Sequence, residues 1–353
     1  MNHELSRRSL LRFAAGTTAA VGMAGFAGTA AAAPTGLRVL TINTWMNGTK
    51  VPDGLNRVAA VIRQVDADIV LLSEAKTATA DLVPLLAAAG ATYHRATSSD
   101  PGVLSKFPIA SAGTLPGMAK AVIPLGDKTL VAYAAHLEYR WYATYLPRGY
   151  GAGVPSGEFS EFGWNKIPGG PVTDVAAVQR CNDASGRPGV IDRFLADAEA
   201  ERARGRMVLL GGDFNEPSAL DWTTGTKDLY DHNGTVVPWG STAKLAAAGY
   251  VDAYRSTFPD PATHPGFTWP ASNADAPVSS LTWAPDADER DRIDYLFSSP
   301  GSGLRVTGAG IVGPRASIVR SKRVDEPEAG EFTANPTPWP TDHKAVLATY
   351  AVG

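Results

Sequence analysis

Four residues, Gly212-Asp213-Phe214-Asn215, follow the apolar run Met207-Val208-Leu209-Leu210 and set a carboxylate and a carboxamide two positions apart. An apolar run of this length reads as a buried strand, and the C-terminal end of such a strand is where ligand groups gather in α/β sheets. An isolated Asp and Asn at a strand end would more often be turn formers. Here other apolar runs carry polar chemistry in the same place: Asn43 after Val39-Leu40-Thr41-Ile42, Glu74 after Ile69-Val70-Leu71-Leu72, and His136 after Val131-Ala132-Tyr133-Ala134. Asp294 lies within Arg292-Ile293-Asp294-Tyr295-Leu296-Phe297, and Asp342-His343 opens the last such run. Carboxylate oxygens and imidazoles delivered from several strand ends suit one task in particular, holding a hard divalent cation beside a phosphate group.

The elements that must deliver these groups alternate in type. Arg38 to Trp45 and Ala67 to Ser73 read as strands, with helical spacing between them over Leu55 to Val65 and a second helix over Ala78 to Ala89. Tyr93 to Ile123 breaks into short runs separated by Gly and Pro, as in an antiparallel meander, and Leu130 to Leu137 is a strand again. Val172 to Arg204 is helical in part, broken at Gly186-Arg187-Pro188-Gly189, and Arg206 to Gly212 is the strand that carries Asp213. A short helix at Leu245 to Gly249, an element at Val251 to Phe258, and strands at Arg292 to Ser298, Leu304 to Val312 and Lys344 to Tyr350 complete the chain. Two strand-helix passages, with hairpins on each side of a central helix, predict two sheets packed face to face with helices outside.

Between Glu138 and about Gly170 the periodicity stops and aromatic residues accumulate, among them Tyr139, Trp141, Tyr142, Tyr145, Tyr150 and Trp164. A loop this long in a compact domain is usually functional or disordered, and so much aromatic mass argues against disorder. It reads as a lid or wall over the site, or as a satellite cluster on the core.

The 353 residues are 44% hydrophobic and 19% charged, the balance of a globular domain with a sizeable core. The first residues differ. Ser6-Arg7-Arg8-Ser9-Leu10-Leu11-Arg12 precedes a mild Ala/Gly-rich stretch that ends in small residues, the pattern of a twin-arginine export signal with cleavage expected after Ala32. Residues 1–32 are therefore read as the signal, recognised by the export machinery, and 33–353 as one domain that works outside the cytoplasm. The one cysteine, Cys181, excludes an internal disulfide, so stability must come from the core. A formal charge of −3, with no block of Lys or Arg, provides no stripe for tracking a nucleic-acid backbone, and neither a stable nucleic-acid partner nor a membrane partner is predicted.

Seven motifs in order carry a resemblance over nearly the whole chain after the leader: Thr41-Ile42-Asn43-Thr44-Trp45, Leu72-Ser73-Glu74-Ala75, Gly102 to Ile109, Ala135-His136-Leu137, Gly211 to Asn215, Arg292-Ile293-Asp294-Tyr295 and Thr341-Asp342-His343. The sequence resembles the endonuclease/exonuclease/phosphatase superfamily, which includes deoxyribonuclease I-like nucleases, abasic-site endonucleases, neutral sphingomyelinases and inositol polyphosphate 5-phosphatases. The resemblance implies a four-layer αββα sandwich, an α/β fold of two packed mixed β-sheets flanked by helices. It implies that Glu74 is the main metal carboxylate, with Asn43 and Asp342 completing or supporting the shell. An all-oxygen set favours Mg²⁺, or Mn²⁺, over zinc. His343 corresponds to the histidine at the scissile phosphate and Asp294 to the carboxylate that fixes it. Asp213 is placed to orient or deprotonate the attacking water, Asn215 to donate to a phosphate oxygen, and His136 to donate to a non-bridging oxygen or assist the leaving group.

Lys76 and Lys106 stand where relatives often place an arginine and are candidate phosphate contacts, and Trp141, Tyr142 and Trp269 are candidate walls for the substrate. The acidic residue that abasic-site endonucleases carry two positions after Asn43 is absent, since Trp45 stands there. The function expected is hydrolysis of a small or lipid-derived phosphodiester or phosphomonoester. The alternative is a secreted non-specific nuclease acting on DNA or RNA, and a binding module without chemistry is the remote third.

Overall fold

The strand rows carry apolar side chains at every second position toward one shared core and at the intervening positions toward flanking helices. The computed structural model describes residues 35–301, 303–327 and 338–353, with the backbone alone of 332–333. The expected export signal lies outside the described residues.

In chain order the first elements are β1 (Gly36–Asn43), the single turn α1 (Trp45–Gly48), α2 (Gly54–Gln64), β2 (Ile69–Ser73), α3 (Ala78–Ala88), β3 (His94–Thr97) and β4 (Gly102–Ser105). Next come β5 (Ser111–Leu115), β6 (Met118–Leu125), β7 (Lys128–His136), α4 (Val175–Ala184), α5 (Arg187–Arg202) and β8 (Met207–Asp213). The chain then forms α6 (Gly240–Ala247), β9 (Val251–Asp252), α7 (Ala253–Thr257), β10 (Asp294–Ser298) and β11 (Leu304–Val312). It closes with β12 (Ala316–Val319), β13 (Lys322–Asp325), β14 (Phe332–Thr333) and β15 (Ala345–Val352).

Seven strands form one mixed sheet in the order β14-β11-β15-β1-β2-β4-β3, six form another in the order β5-β6-β7-β8-β10-β9, and β12 and β13 form a separate hairpin. Leu37 and Val39 of β1 and Ile69 and Leu71 of β2 meet Ala132 and Ala134 of β7 and Leu209 of β8 between the sheets. The alternate residues, Leu40, Ile42, Val70 and Leu72, pack on Val58, Val61 and Ile62 of α2 and on Leu82 and Leu86 of α3. On the other side, Val208 and Leu210 pack on Ile191 and Phe194 of α5. Two sheets covered by helices on their outer faces make the four-layer αββα sandwich expected from the sequence. Among the described residues, no helix is long and apolar enough to cross a membrane.

Two elements differ from the sequence reading. Helix α6 begins at Gly240, five residues earlier than expected, because the buried carboxylate of Glu216 accepts from Ser241 N at 2.6 Å and Ser241 Oγ at 2.9 Å. A cap supplied from 25 positions away leaves no local signal. The β12/β13 hairpin turns through Arg320 and Ser321 at φ of 47° and 57°, a conformation usually signalled by Asn or Gly.

The close packing of β8 against its neighbouring strands beneath Asp213 depends on a glycine pair. At Gly211 an added Cβ would sit 2.6 Å from the Tyr295 carbonyl oxygen, and at Gly212, with φ +136°, it would overlap the Ala135 backbone. Gly212→Ala is expected to destabilise the fold by roughly 3 kcal/mol or more, since backbone on a neighbouring strand must move. Urea unfolding would check this, and a midpoint equal to that of the wild type would contradict it.

Candidate active site

Strand parity brings the polar groups together. Asn43, Ser73, His136, Asp213 and Asp294 each continue, at two-residue spacing, a row whose other members face the space between the sheets. Asp294 pairs directly across from Asp213, and His136 lies beside Asp213 in the parallel β7/β8 register. Glu74, one residue beyond β2, would point away, but a left-handed φ of 52° turns it back. That conformation is held by its own carbonyl, which accepts from Thr44 Oγ1 at 2.8 Å and Asn47 N at 2.9 Å.

The hydrogen bonds join the two sheets. Asn43 Nδ2 donates to Asp213 Oδ2 at 3.0 Å and to Glu74 Oε1 at 3.3 Å, while its Oδ1 accepts from Trp45 N at 2.8 Å. Asn43 is thus turned as a donor between two carboxylates. Glu74 Oε2 accepts from Met46 N at 2.6 Å. Asp213 Oδ1 accepts from Asn215 N at 2.8 Å, and Asn215 Nδ2 donates to the Leu137 carbonyl at 3.0 Å. His343 Nδ1 meets Asp294 Oδ2 at 2.9 Å, and its Nε2 lies 3.7 Å from Asp213 Oδ2. His136 pairs with Asp100 through Nδ1 and lies 3.9 Å from Asp213 Oδ2 through Nε2.

Burial and charge set the protonation states. Burial alone would lower the His343 pKa, but Asp294 and Asp213 outweigh it and raise it to about 10. For His136 burial is likewise outweighed, by the bond to Asp100 and the charge of Asp213, and its pKa rises to about 9. Both rings are therefore imidazolium at neutral pH, with N–H donors on both nitrogens. Burial pushes Asp213 up to about 6 although His343 pulls it down. Burial also pushes Asp342 up to about 7, again against His343, with the charge of Glu74 adding to the rise.

These groups form one end of a cavity of about 680 Å³. Glu74, Lys76, His136, Asp213, Asn215, Asp342 and His343 line it, as do Tyr142 and Trp269 of the expected wall. Asp294 stands behind His343, fully buried, and its Oδ1 has no hydrogen-bond partner among the described residues.

Two expected contacts are not at the cavity. Lys106 follows β4, which runs antiparallel to β2, so it emerges at the opposite end of the sheet from Glu74 and pairs with Asp66 at 2.6 Å and Asp68 at 3.1 Å. Trp141 packs with the cluster around Leu146, Val178, Trp222 and Trp239 and lies under the Arg140 guanidinium instead of facing the site. The insertion is thus partly wall and partly satellite core.

Several cavity residues were not picked out from the sequence as site candidates. Asp100 sits in the Ser98-Ser99-Asp100-Pro101 turn before β4, and its carbonyl accepts from Ala75 N at 3.2 Å, so the β2/β4 pairing places it beside Glu74. The signal would have been that pairing. Tyr139, Tyr145 and Trp164 of the insertion also line the cavity, as do Trp45, Met46 and Trp283. Nothing local marks Trp283.

The donor chemistry fits a divalent cation. The charge of Glu74 adds to the cost of ionising the buried Asp342, and a bound cation would remove that cost. Asp213, Asp294 and His343 also bring three potential ligand atoms within 4.8 Å of one another, and a metal ion held there would displace a proton from His343.

Comparison with known proteins adds the lineage. A family model described as the endonuclease/exonuclease/phosphatase family matches residues 40–343. An uncharacterized protein of Caenorhabditis elegans is 24% identical over 320 residues, which is 89% of this chain and 91% of that protein. The chain is similar to the solved structure of truncated Caenorhabditis elegans TDP2, with 15% identity, 90% of this chain and 97% of that one covered, and a TM-score of 0.48. It is also similar to an endonuclease/exonuclease/phosphatase from Beutenbergia cavernae, with 18% identity, 91% and 72% covered, and a TM-score of 0.48. Since the family model spans every element that supplies the cavity's polar end, this chain belongs to the endonuclease/exonuclease/phosphatase family, whose members are hydrolases of phosphoester bonds.

Proposed function

We propose that the chain is an exported, divalent-metal-dependent phosphoesterase that hydrolyses a small or lipid-derived phosphodiester or phosphomonoester. The observation that carries this reading is the union, in one cavity, of the Glu74, Asp213 and Asp342 carboxylates with the His136 and His343 imidazoles. Glu74 and Asp342 would hold Mg²⁺ or Mn²⁺, supported by Asn43, and the ion would stabilise charge on the phosphate oxygens.

The chain's own groups supply the proton transfers. Asp213, with its pKa raised toward neutrality, accepts a proton from water as the water oxygen bonds to phosphorus in line with the breaking bond. His343, kept as imidazolium by Asp294, donates to a non-bridging oxygen. His136, held by Asp100, gives the leaving oxygen its proton. Asn215 and Lys76 line the same end and would add donors to the phosphate.

The rest of the cavity favours a modest ligand over a long polymer. Its walls are mostly aromatic, and the lysines that line it, Lys50 and Lys76, are few for gripping a backbone whose binding scales with the phosphates neutralised. Export rests on the Arg7-Arg8 leader.

Removing divalent metal with a chelator should abolish hydrolysis of bis(p-nitrophenyl) phosphate and Mg²⁺ should restore it, while Glu74→Gln should weaken Mg²⁺ binding measured by calorimetry. Activity that survives chelation would exclude the metal role, and rapid clearing of DNA with poor turnover of small esters would favour the nuclease. Asp294→Asn and His343→Ala should each lower kcat by about 10²- to 10³-fold in steady-state assays, with circular dichroism unchanged. Replacing Arg7 and Arg8 by lysine should leave the protein in the cytoplasm on cell fractionation.

A further inference from the structure

The aromatic half of the cavity is ordered as a path. Trp269, next to the segment that bonds the backbone of Asp342 and Lys344, contacts Tyr142 edge-on with ring centroids 6.2 Å apart. Tyr142 contacts Tyr145 at 4.9 Å, and Tyr145 contacts Trp164 at 6.0 Å. At the outer end Trp164 meets Trp283 at 4.7 Å and lies nearly parallel to Tyr139, with 11° between the planes and 6.5 Å between the centroids. Tyr139 is 52% exposed and Trp283 46%, so the path opens to solvent.

We propose that Tyr139, Trp164 and Trp283 form a stacking subsite for a planar aromatic ring carried by the phosphoester. The substrate is then a nucleotide or aryl phosphate whose phosphate reaches the polar end while its ring lies against these side chains. This deepens the phosphoesterase reading and rests on it.

Two features point to a flat ring instead of an acyl chain or a sugar. The aliphatic side chains lining the cavity are Met46 and Ile293, which is little surface for methylenes. The hydroxyls of the two inner tyrosines are already engaged: Tyr142 donates to Asp291 at 3.1 Å and Tyr145 to Glu289 at 2.6 Å. What the wall offers is therefore ring surface, which recognises any base or aryl group by its face.

The subsite is also formed in advance of the ligand. Glu289 is fully buried and accepts from Tyr145 Oη, from Trp283 N at 3.0 Å and from Ala284 N at 3.0 Å, so one carboxylate fixes both the ring beneath Trp164 and the turn that carries Trp283. The Trp164 indole rests on Gly153, where any Cβ would run into it. Rings fixed before binding lose little entropy when a ligand stacks on them.

The test compares kcat/KM for phenyl phosphate, AMP, ribose 5-phosphate and butyl phosphate, each as monoester and methyl diester, in the wild type, Tyr139→Ala and Trp283→Ala. Both variants change exposed side chains, so the fold should persist. The expected result is a preference for ring-bearing esters that falls about tenfold in each variant, mainly through KM. The ratio of AMP to phenyl phosphate identifies which ring is read. A preference for the butyl or ribose ester, or a ratio within about twofold of wild type in both variants, overturns the subsite. Calorimetric binding of AMP and phenyl phosphate separates this from failure of the hydrolytic reading. If no ester is turned over, a Kd raised about tenfold in the variants still supports the subsite. Absent binding, or binding unchanged in the variants, overturns it.

Discussion

The register of the two sheets against each other is the constraint on which the site depends. The rows that form the apolar seam, Leu37 and Val39, Ile69 and Leu71, Ala132 and Ala134, Leu209, and Leu296, end at Asn43, Ser73, His136, Asp213 and Asp294. Polar bonds then cross the seam at that end. Asn43 bonds Asp213, Ser73 Oγ donates to the Ala135 carbonyl at 2.9 Å and accepts from Asp213 N at 3.1 Å, and His343 bonds Asp294. A slip of one residue in any of these strands would send its polar end to the helix side and leave the partner buried without a bond, a cost of about 1–3 kcal/mol for each group. The apolar seam supplies the packing energy and its polar end selects the register.

A second set of buried charges positions the aromatic half. Asp291 accepts from Arg148 at 2.5 Å and 3.2 Å, from Tyr142 and from Trp222 Nε1 at 3.2 Å, while its backbone pairs with Trp269. Arg187, at the start of α5, donates to the carbonyls of Glu138, Arg140 and Trp141 and lies 3.4 Å from Glu216. The insertion has little regular structure to satisfy its own backbone, so side chains from the sandwich do so, and buried ions that keep all their partners hold one conformation. Losing one partner would leave an uncompensated charge in the interior, which explains how a 33-residue loop can present a fixed wall.

Period-two alternation and the residue at each strand end are local properties, which is why the sandwich and most of its polar end were legible in the sequence. Glu74, Asp213, Asp294 and His343 could be picked out because each closes or opens an apolar run. What depended on pairing was not legible. Lys106 looks equivalent to Lys76 until the antiparallel β2/β4 register sends it to the far end of the sheet. Asp100 looks like a turn residue until the same register sets it beside His136. Trp141 and Tyr142 are neighbours in sequence, yet one packs on the satellite cluster and the other faces the cavity, because an irregular loop has no period from which to read facing.

The charge inventory of the polar end carries the last step. Five carboxylates, Glu74, Asp100, Asp213, Asp294 and Asp342, surround two imidazoles. Even with both rings protonated the group is negative, and the charges of Asp294 and Glu74 add to the burial that raises Asp213 and Asp342. An anionic phosphoester would be repelled by such an end if it were left uncompensated. The same carboxylates that repel an anion attract a divalent cation, and once the charge is balanced the two imidazolium rings become the dominant donors facing the substrate. On the proposed reading cation and phosphate would be linked, each admitted on terms set by the other, and the aromatic wall, which carries no charge of its own, would be left to select the organic group that accompanies the phosphate.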